Sequence, residues 1–308
     1  MILEKIGPEM VAGRAKLNSA PPMPTPEVIA AMRREPRFKH AIAAVVGSSI
    51  EYYQRRWLAD RVLNDRGRFG MALLIMYLHF SYRPDTADSG LTAARVREIC
   101  VAIELCGGGR VEGMLLMMRA AGYLECADDH NRHVRRYVPT AKLIKLHRDR
   151  HRQVLSALDI LRGKNDLVRI CDDNECEFYR RFIIAMGCAF LAGYRIVHAA
   201  PELQRMIDRD AGLPLMMCVL LASPDYAALV PEEVRPTSVA GLARRFDVSR
   251  IHVRSVLRDA ESAGFLIRHG DAAPVTALPS LIGAMEKFFA SGLVMAESCA
   301  HIALTQEA

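Results

Sequence analysis

Apolar residues recur along the chain with the spacing of one helix face, and the pattern occurs twice. In the second half, four of them follow the i, i+3, i+4, i+7 order: Val253, Val256, Leu257 and Ala260. In the first half, four residues repeat that order 142 positions earlier: Val111, Met114, Leu115 and Met118. The apolar segments 71–80 and 213–222 keep the same separation, as do Ala-Gly-Tyr-Leu at 121–124 and Ala-Gly-Phe-Leu at 263–266. The sequence therefore predicts one module written twice.

Local signals for helix starts and stops predict the elements of the first half. Thr25, followed by Pro26, predicts the start of a short helix that Pro36 must end. Thr92 predicts the N-cap of a later helix, and Gly122 predicts the stop of the helix after that. The predicted segments are, in order, two or three helices within 38–82, a helix over 92–105, a turn at the glycines 107–109, a helix ending near 121, a hairpin formed by 123–126 and 134–138, and a long basic helix over 140–161.

The same signals predict the second half. Thr237 is expected to cap a helix over 238–246, and Ser249 is expected to cap the next helix, which Gly264 stops. The other predicted segments are apolar helices over 175–198 and 213–222, a strand over 265–268, a hairpin tip at 270–271 and a final helix over 280–304. Because that final helix is apolar on more than one face, it must be covered by the other half or by a second chain.

These elements predict a mainly α fold with two small β hairpins, in which duplicated domains pack through long helices. At 308 residues and 51% hydrophobic, the chain is long enough for two domains of ordinary size. The predicted divisions are an N-terminal arm with a short helix over 1–35, a first domain over 36–163, a linker over 164–174 and a second domain over 175–308.

Composition narrows the classes of protein that such a fold can serve. The longest apolar stretch, 182–194, is shorter than the roughly 20 residues that cross a bilayer, and the N-terminus lacks a signal pattern. We therefore expect a cytoplasmic protein without a membrane segment. The eight cysteines form no Cys-x-x-Cys pair, which favours reduced and buried thiols.

Charge is concentrated in the second part of each copy, although the net charge is only +6. Residues 130–152 hold eight lysines and arginines against one acid, and residues 235–258 hold six arginines against one acid. Basic blocks of this kind favour an anionic partner such as nucleic acid.

A helix, a short turn, a second helix, a glycine stop and a hairpin make up a winged helix-turn-helix, and this order is predicted twice. Residues 238–268 resemble the DNA-binding core of bacterial winged-helix repressors, especially those of the MarR family. The resemblance depends on four places in the sequence: Leu242-Ala243 in the first helix, Val248-Ser249 in the turn, Val253 as the buried anchor, and 263–266 at the exit into the wing. The family normally has one module per subunit, whereas two are predicted here in one chain.

The resemblance implies a sequence-specific regulator of transcription that binds double-stranded DNA without a cofactor or catalytic activity. The two modules would pack about a pseudo-two-fold axis, so that one chain imitates a dimer; a homodimer of chains is the alternative. The resemblance also implies a possible small-molecule effector site. Trp57, Tyr77, His79 and Tyr82 are its candidate lining, with ordinary core packing as the alternative.

The second copy is predicted to be the main reader of bases. If its apolar face is buried, the helix after Ser249 turns six residues outward: Arg250, Ile251, His252, Arg254, Ser255 and Arg258. Arginine can bridge two acceptors of guanine, isoleucine can pack on a thymine methyl group, and Ser249 can donate to phosphate. Arg244, Arg245 and Arg268 are further expected contacts, and a solvated arginine-rich face is the alternative.

The first copy is predicted to contribute affinity more than sequence reading. Its outward positions are Gly108, Gly109, Arg110, Glu112, Gly113 and Leu116, of which Arg110 alone is an evident DNA contact. Its other cations lie on the predicted wing: Arg132, His133, Arg135 and Arg136. Such a wing can follow phosphates or enter a minor groove, and an ordinary exposed hairpin is the alternative.

Other classes of function have weaker support. The glycines at 107–109 lack the Gly-Lys-Ser/Thr ending of a phosphate-binding loop, and no arrangement of side chains suggests an active site. The set Cys171, Asp172, Asp173, Glu175 and Cys176 lacks the spacing of a structural zinc site, so no metal is expected. A plasmid-type replication initiator and a winged-helix scaffold for protein interactions remain open alternatives.

Overall fold

The structure is a computed structural model, and it describes residues 20–55, 66–86, 89–127, 135–173, 177–234, 238–270 and 273–305. Within these residues the chain is mainly helical, with two small two-stranded antiparallel sheets. The predicted class of secondary structure is therefore confirmed.

Two segments of similar element order follow one another along the chain. The first comprises α1 (Pro26–Arg33), α2 (Phe38–Arg55), α3 (Arg66–Phe80), α4 (Ala93–Ala102), α5 (Gly108–Ala120), β1 (Leu124–Cys126), β2 (Tyr137–Pro139) and α6 (Ala141–Arg162). The second comprises α7 (Asp166–Asp173), α8 (Glu177–Leu191), a short helix α9 (Gln204–Ile207), α10 (Gly212–Leu221), the one-turn helix α11 (Pro224–Ala227), α12 (Val239–Phe246), α13 (Arg250–Ser262), β3 (Leu266–Ile267), β4 (Thr276–Ala277) and α14 (Pro279–Thr305).

Capping side chains fix where several helices begin. The hydroxyls of Thr25, Thr92 and Ser249 each accept a hydrogen bond from a backbone N–H in the first turn of the helix that follows, as predicted. The prediction for α12 is wrong by one residue. Ser238 is its cap and accepts from the Gly241 N–H at 3.1 Å, while Thr237 lies outside the described residues.

Backbone hydrogen bonds repeat at one sequence offset around α5 and α13. The N–H groups of Ala121, Gly122 and Tyr123 donate to the carbonyls of Met117, Arg119 and Met118. Residues 263, 264 and 265 make the same three bonds 142 positions later. Gly122 and Gly264 have φ of 70° and 71°, the left-handed conformation that glycine adopts without steric cost. The four buried residues of each helix occupy matching positions as predicted.

The long helices α6 and α14 also correspond, at an offset of 138. The Thr140 N–H donates to the carbonyl of Tyr123, and the Leu278 N–H donates to that of Phe265. Leu143, Leu146 and His147 are buried in α6, and Leu281, Ala284 and Met285 are buried at the matching positions of α14. Residues of the two long helices can therefore be compared position by position.

The two segments pack on each other reciprocally. Helix α2 packs on α10 of the second segment, and α8 packs on α3 of the first, so the same pair of elements meets twice with the roles exchanged. Helices α6 and α14 also contact one another. Contacts that occur twice, with the two bodies exchanged, are the signature of a two-fold relation between similar bodies.

Helices α1 and α7 show the same reciprocal packing. Helix α1 packs on α14 of the second segment, and α7 packs on α6 of the first. The short helix of the predicted arm, 1–35, thus has its counterpart in the predicted linker, 164–174, most of which is helical. Both are elements of the packed structure, and residues 1–19 lie outside the described part.

Helix α14 is covered by this packing, as its apolar surface requires. It lies against α1, α6 and α8. Among the described residues it is the one helix long and apolar enough to span a membrane, and most of that stretch is buried inside the molecule. Such burial is compatible with the core helix of a soluble protein.

Candidate nucleic-acid interface

Helix α13 presents a buried face and a polar face that run along its whole length. Val253, Val256, Leu257 and Ala260 are buried. Residues 250, 254 and 258 are spaced by four and lie on the opposite side of the helix. Asp247, at φ 50°, ends α12, and the Ser249 hydroxyl accepts from the His252 N–H at 3.1 Å. The turn between α12 and α13 is therefore three residues long.

The predicted reading face carries solvent-exposed cations. Arg244, Arg250 and Arg258 are exposed and make no ion pair with any other part of the chain that the structure describes. Ile251 beside them is 76% exposed, although its side chain is large and apolar. Arg254, between Arg250 and Arg258 along the helix, is half-buried. Arg244, Arg250 and Arg258, with Ile251 as one apolar member, form an exposed arginine stripe.

Two arginines that the sequence did not suggest support α13 from the side. Arg209, just after α9, donates to Asp259 at 2.8 Å and to the Ser255 hydroxyl at 2.9 Å, and Arg205 donates to Asp259 at 2.9 Å. They hold the helix and offset the negative charge of Asp259. Their partners are 46 to 54 residues away in sequence, so no local signal points to them.

Several predicted contact residues of this segment have partners inside the protein. Ser255 accepts from Arg209, and a ring nitrogen of His252 lies 2.7 Å from the Asp210 carbonyl oxygen. Arg245 donates to the Glu233 carbonyl, and Arg268 pairs with Glu261 at 2.7 Å. These residues shape the surface around α13, and the exposed arginines are better placed to reach a ligand.

Helix α5 occupies the position of α13 but presents different side chains. Its cap, Gly107, makes no side-chain hydrogen bond. Arg110 is exposed, and Glu112 lies 3.3 Å from Arg97 of α4. Leu116 is 66% exposed, and Met117 is 41% exposed. The predicted contrast in side chains between the two helices is present on the surface.

The first hairpin carries fewer available cations than its sequence suggests. Arg135 is exposed, whereas the guanidinium of Arg136 lies 4.2 Å from the centre of the Tyr82 ring. Arg132 and His133 lie outside the described residues. One cation of the basic helix α6 also has a partner inside the protein, since Lys142 donates to the Ala121 carbonyl at 2.8 Å.

Between α6 and α8 lies a buried polar cluster. Nδ1 of His147 lies 2.7 Å from the hydroxyl of Tyr179, and the ring centres of His147 and His151 are 4.5 Å apart. Phe182 packs edge-on against His151. Burial lowers the pKa of His151 to about 4 and holds the pKa of His147 well below its usual range. Both imidazoles are therefore neutral at neutral pH.

The candidate effector residues do not come together as an open site in the described part of the chain. Tyr77 is buried, and an added Cβ on Gly187 would lie 2.4 Å from its ring, which indicates tight packing. The ring of His79 lies 5.1 Å from that of Phe80 in a tilted arrangement, and burial lowers the pKa of His79. Tyr82 holds Arg136, and Trp57 lies outside the described residues. Core packing accounts for Tyr77, while His79 and Tyr82 are half-buried and contact neighbouring side chains.

Two of the candidate metal ligands are described, and one is buried while the other is paired with an arginine. Cys171 is buried, and Asp172 accepts a bidentate pair of hydrogen bonds from Arg152 at 2.7 and 2.9 Å. Glu175 and Cys176 lie outside the described residues. No group of three potential ligands occurs among the described side chains.

Comparisons with protein-family models, with curated proteins and with solved structures give no significant match for this chain.

Proposed function

We propose that the chain is a sequence-specific regulator of transcription that binds double-stranded DNA. In this proposal the two segments are fused winged helix-turn-helix modules similar to those of the MarR family, and α13 is the main reading helix. One chain acts as the counterpart of a dimer in the cytoplasm, with no catalytic role.

The exposed arginine stripe on α13 is the main support for this proposal. Arg250 and Arg258 are exposed on a helix whose opposite face is buried, and Arg254 lies half-buried between them. A helix fits the major groove of B-form DNA, where arginine can bond the two acceptors of guanine. The exposed Arg244 on the preceding helix is suited to backbone phosphate. Arg205 and Arg209 keep Asp259 from opposing an anionic ligand.

The reciprocal packing supports a paired arrangement of reading helices. In a two-fold assembly, two such helices contact successive major grooves about one helical turn apart. Since α5 and α13 carry different side chains, the preferred DNA site is expected to be asymmetric. A small-molecule effector is also part of the proposal, as a second partner of the chain.

A selection of bound duplexes from a random-sequence pool tests the proposal. We expect one asymmetric motif, bound with a steep loss of affinity as salt rises, because phosphate contacts release counterions. On the selected duplex, Arg250→Ala and Arg258→Ala should each weaken binding by about 1 to 3 kcal/mol, roughly 5- to 150-fold.

Arg34→Ala is the matched control, because Arg34 is an exposed arginine at the end of α1, which packs on α14. It removes the same charge without touching α13 and should leave affinity nearly unchanged. Absence of any selected duplex, or equal effects of all three variants, would contradict the proposal. Equal losses on selected and random duplexes would show that Arg250 and Arg258 contact phosphate only.

A further inference from the structure

An uncovered apolar surface lies on α4 and α5. Leu116 and Met117 project from α5, and Val101 of α4, which packs beside α5, is 53% exposed. Gly109 and Gly113 on α5 have no described atom within 4 Å of an added Cβ, so the helix backbone is open to close approach. Large apolar side chains grouped on an exposed helix point to a ligand that covers them.

Leu116, the most exposed residue of this surface, occupies the same place in its segment as Arg258 of the arginine stripe does in the other. At the offset that matches the buried residues, Leu116 corresponds to Arg258 and Glu112 corresponds to Arg254. Gly109 corresponds to Ile251 in the same way. Since reciprocal packing relates the segments, a ligand that spans both helices meets arginines at one end and an apolar surface at the other.

We propose that the apolar surface of α5 contacts the methyl groups of thymines in the half-site next to the one that α13 reads. This inference rests on the proposed function and names what its second reading helix recognises. The methyl group of thymine is the apolar feature that the major groove displays, and aliphatic side chains pack against it. Gly109 and Gly113 let the helix backbone approach the bases closely.

The charges around this surface suit a nucleic acid that α5 binds through few charged contacts. Arg110 and Arg119 are exposed on α5 itself, and Arg135 is exposed on the hairpin that follows. Arg97 partly neutralises the single carboxylate on the reading positions, Glu112, at 3.3 Å. A carboxylate at this position can also accept from the amino group of cytosine. The two half-sites are thus expected to differ in base composition, with guanines under α13 and thymines under α5.

A double-mutant cycle between protein and DNA tests the inference. Thymines in each half of the selected duplex are replaced by deoxyuridine, which lacks the methyl group. The chain and its Leu116→Ala variant are then titrated with both duplexes. In the half under α5, we expect each replacement at a contacted thymine to weaken binding by the unaltered chain about three- to fivefold. The Leu116→Ala variant should show no such loss in that half.

Leu304→Ala serves as the control, because Leu304 is an exposed leucine near the end of α14. It should bind both duplexes as the unaltered chain does. Deoxyuridine losses that are equal for the unaltered chain and for Leu116→Ala would overturn the inference, while tight binding of the selected duplex would leave the proposed function standing. A Leu116→Ala variant with unchanged DNA binding but a smaller sedimenting species would also overturn it, since a second copy of the chain would then cover α5.

Discussion

The two segments share a backbone arrangement but use it with different side chains. Around α5 and α13, the hydrogen bonds of the helix ends and the buried positions match at one offset. The exposed positions do not match, since the arginines of α13 correspond to a glycine, a glutamate and a leucine on α5. The packed interior therefore sets the fold in both segments, while the exposed side chains are free to differ in what they bind.

The long helices extend this comparison into the core. His147 and His151 of α6 correspond to Met285 and Phe289 of α14, and all four are buried. The first segment therefore contains two neutral imidazoles where the second has apolar side chains. This difference gives the largest effect expected from exchanging residues between the segments.

Replacing His147 by Met and His151 by Phe should remove an acid-sensitive part of the stability. An unfolded histidine takes up a proton below about pH 6.5, whereas folded His151, with a pKa of about 4, stays neutral. The free energy of unfolding should therefore fall as the pH drops from about 6.5 to about 4. The loss should approach 3 kcal/mol for His151 alone. Chemical unfolding across this pH range should show a flatter profile for the double variant.

The exposed His301 of α14 provides the control for this experiment. His301→Phe should keep the slope of the unaltered chain, because His301 is exposed and lies outside the buried cluster of α6 and α8. If the double variant keeps the full slope as well, the imidazoles of α6 are not the source of the acid sensitivity.

An ion pair between α1 and α14 and another between α7 and α6 offer a second comparison, between a buried contact and an exposed one. On the α1 side, Arg33 donates to the buried Glu286 of α14 at 2.7 Å, and the buried Tyr226 hydroxyl donates to the same carboxylate at 3.0 Å. On the α7 side, Arg152 and Asp172 form a pair in which both side chains are nearly half exposed.

Glu286→Ala should destabilise the protein much more than Asp172→Ala. The first change leaves a buried hydroxyl and a partly buried guanidinium without their acceptor, which costs about 2 kcal/mol. The second removes a solvated pair, which contributes at most about 1 kcal/mol. Urea unfolding at neutral pH, with the slope checked for both variants, measures the difference. Equal losses would mean that burial does not distinguish the two contacts.

The local parts of this structure follow from the sequence, because short-range signals determine them. The caps at Thr25, Thr92 and Ser249 and the glycine stops at 122 and 264 depend on residues within one helical turn. The buried faces of α5 and α13 follow from apolar spacing alone. The cap of α12 was misplaced because Thr237 and Ser238 are adjacent and both can cap a helix.

The long-range parts do not follow from the sequence. Helices α1 and α7 share their place in the packing, yet PEVIAAMR and DLVRICDD have no common pattern. The support of α13 by Arg205 and Arg209, and the contact of His147 with Tyr179, join residues 32 to 54 positions apart. Such pairs depend on how helices meet in three dimensions, which local propensity does not specify.

The smallest expected effect concerns the first turns of α5 and α13. Ser249 caps α13 with its side chain, while Gly107 occupies the same position before α5 without one. Ser249→Ala should cost about 1 kcal/mol, and Gly107→Ser should gain a few tenths, roughly, since Ser caps better than Gly. No described atom lies within 4 Å of an added Cβ on Gly107, and its φ of −72° suits serine.

Amide hydrogen exchange measures these local changes directly. The His252 amide donates to Ser249, so in Ser249→Ala it should exchange about fivefold faster, as expected for a local loss near 1 kcal/mol. In Gly107→Ser the Arg110 amide, three residues past the cap, should exchange more slowly. Ser238→Ala is the control, because its hydroxyl caps α12 through Gly241 and should leave the His252 amide unchanged. If Gly107→Ser leaves the Arg110 amide unchanged, the missing cap does not account for the difference between the first turns of α5 and α13.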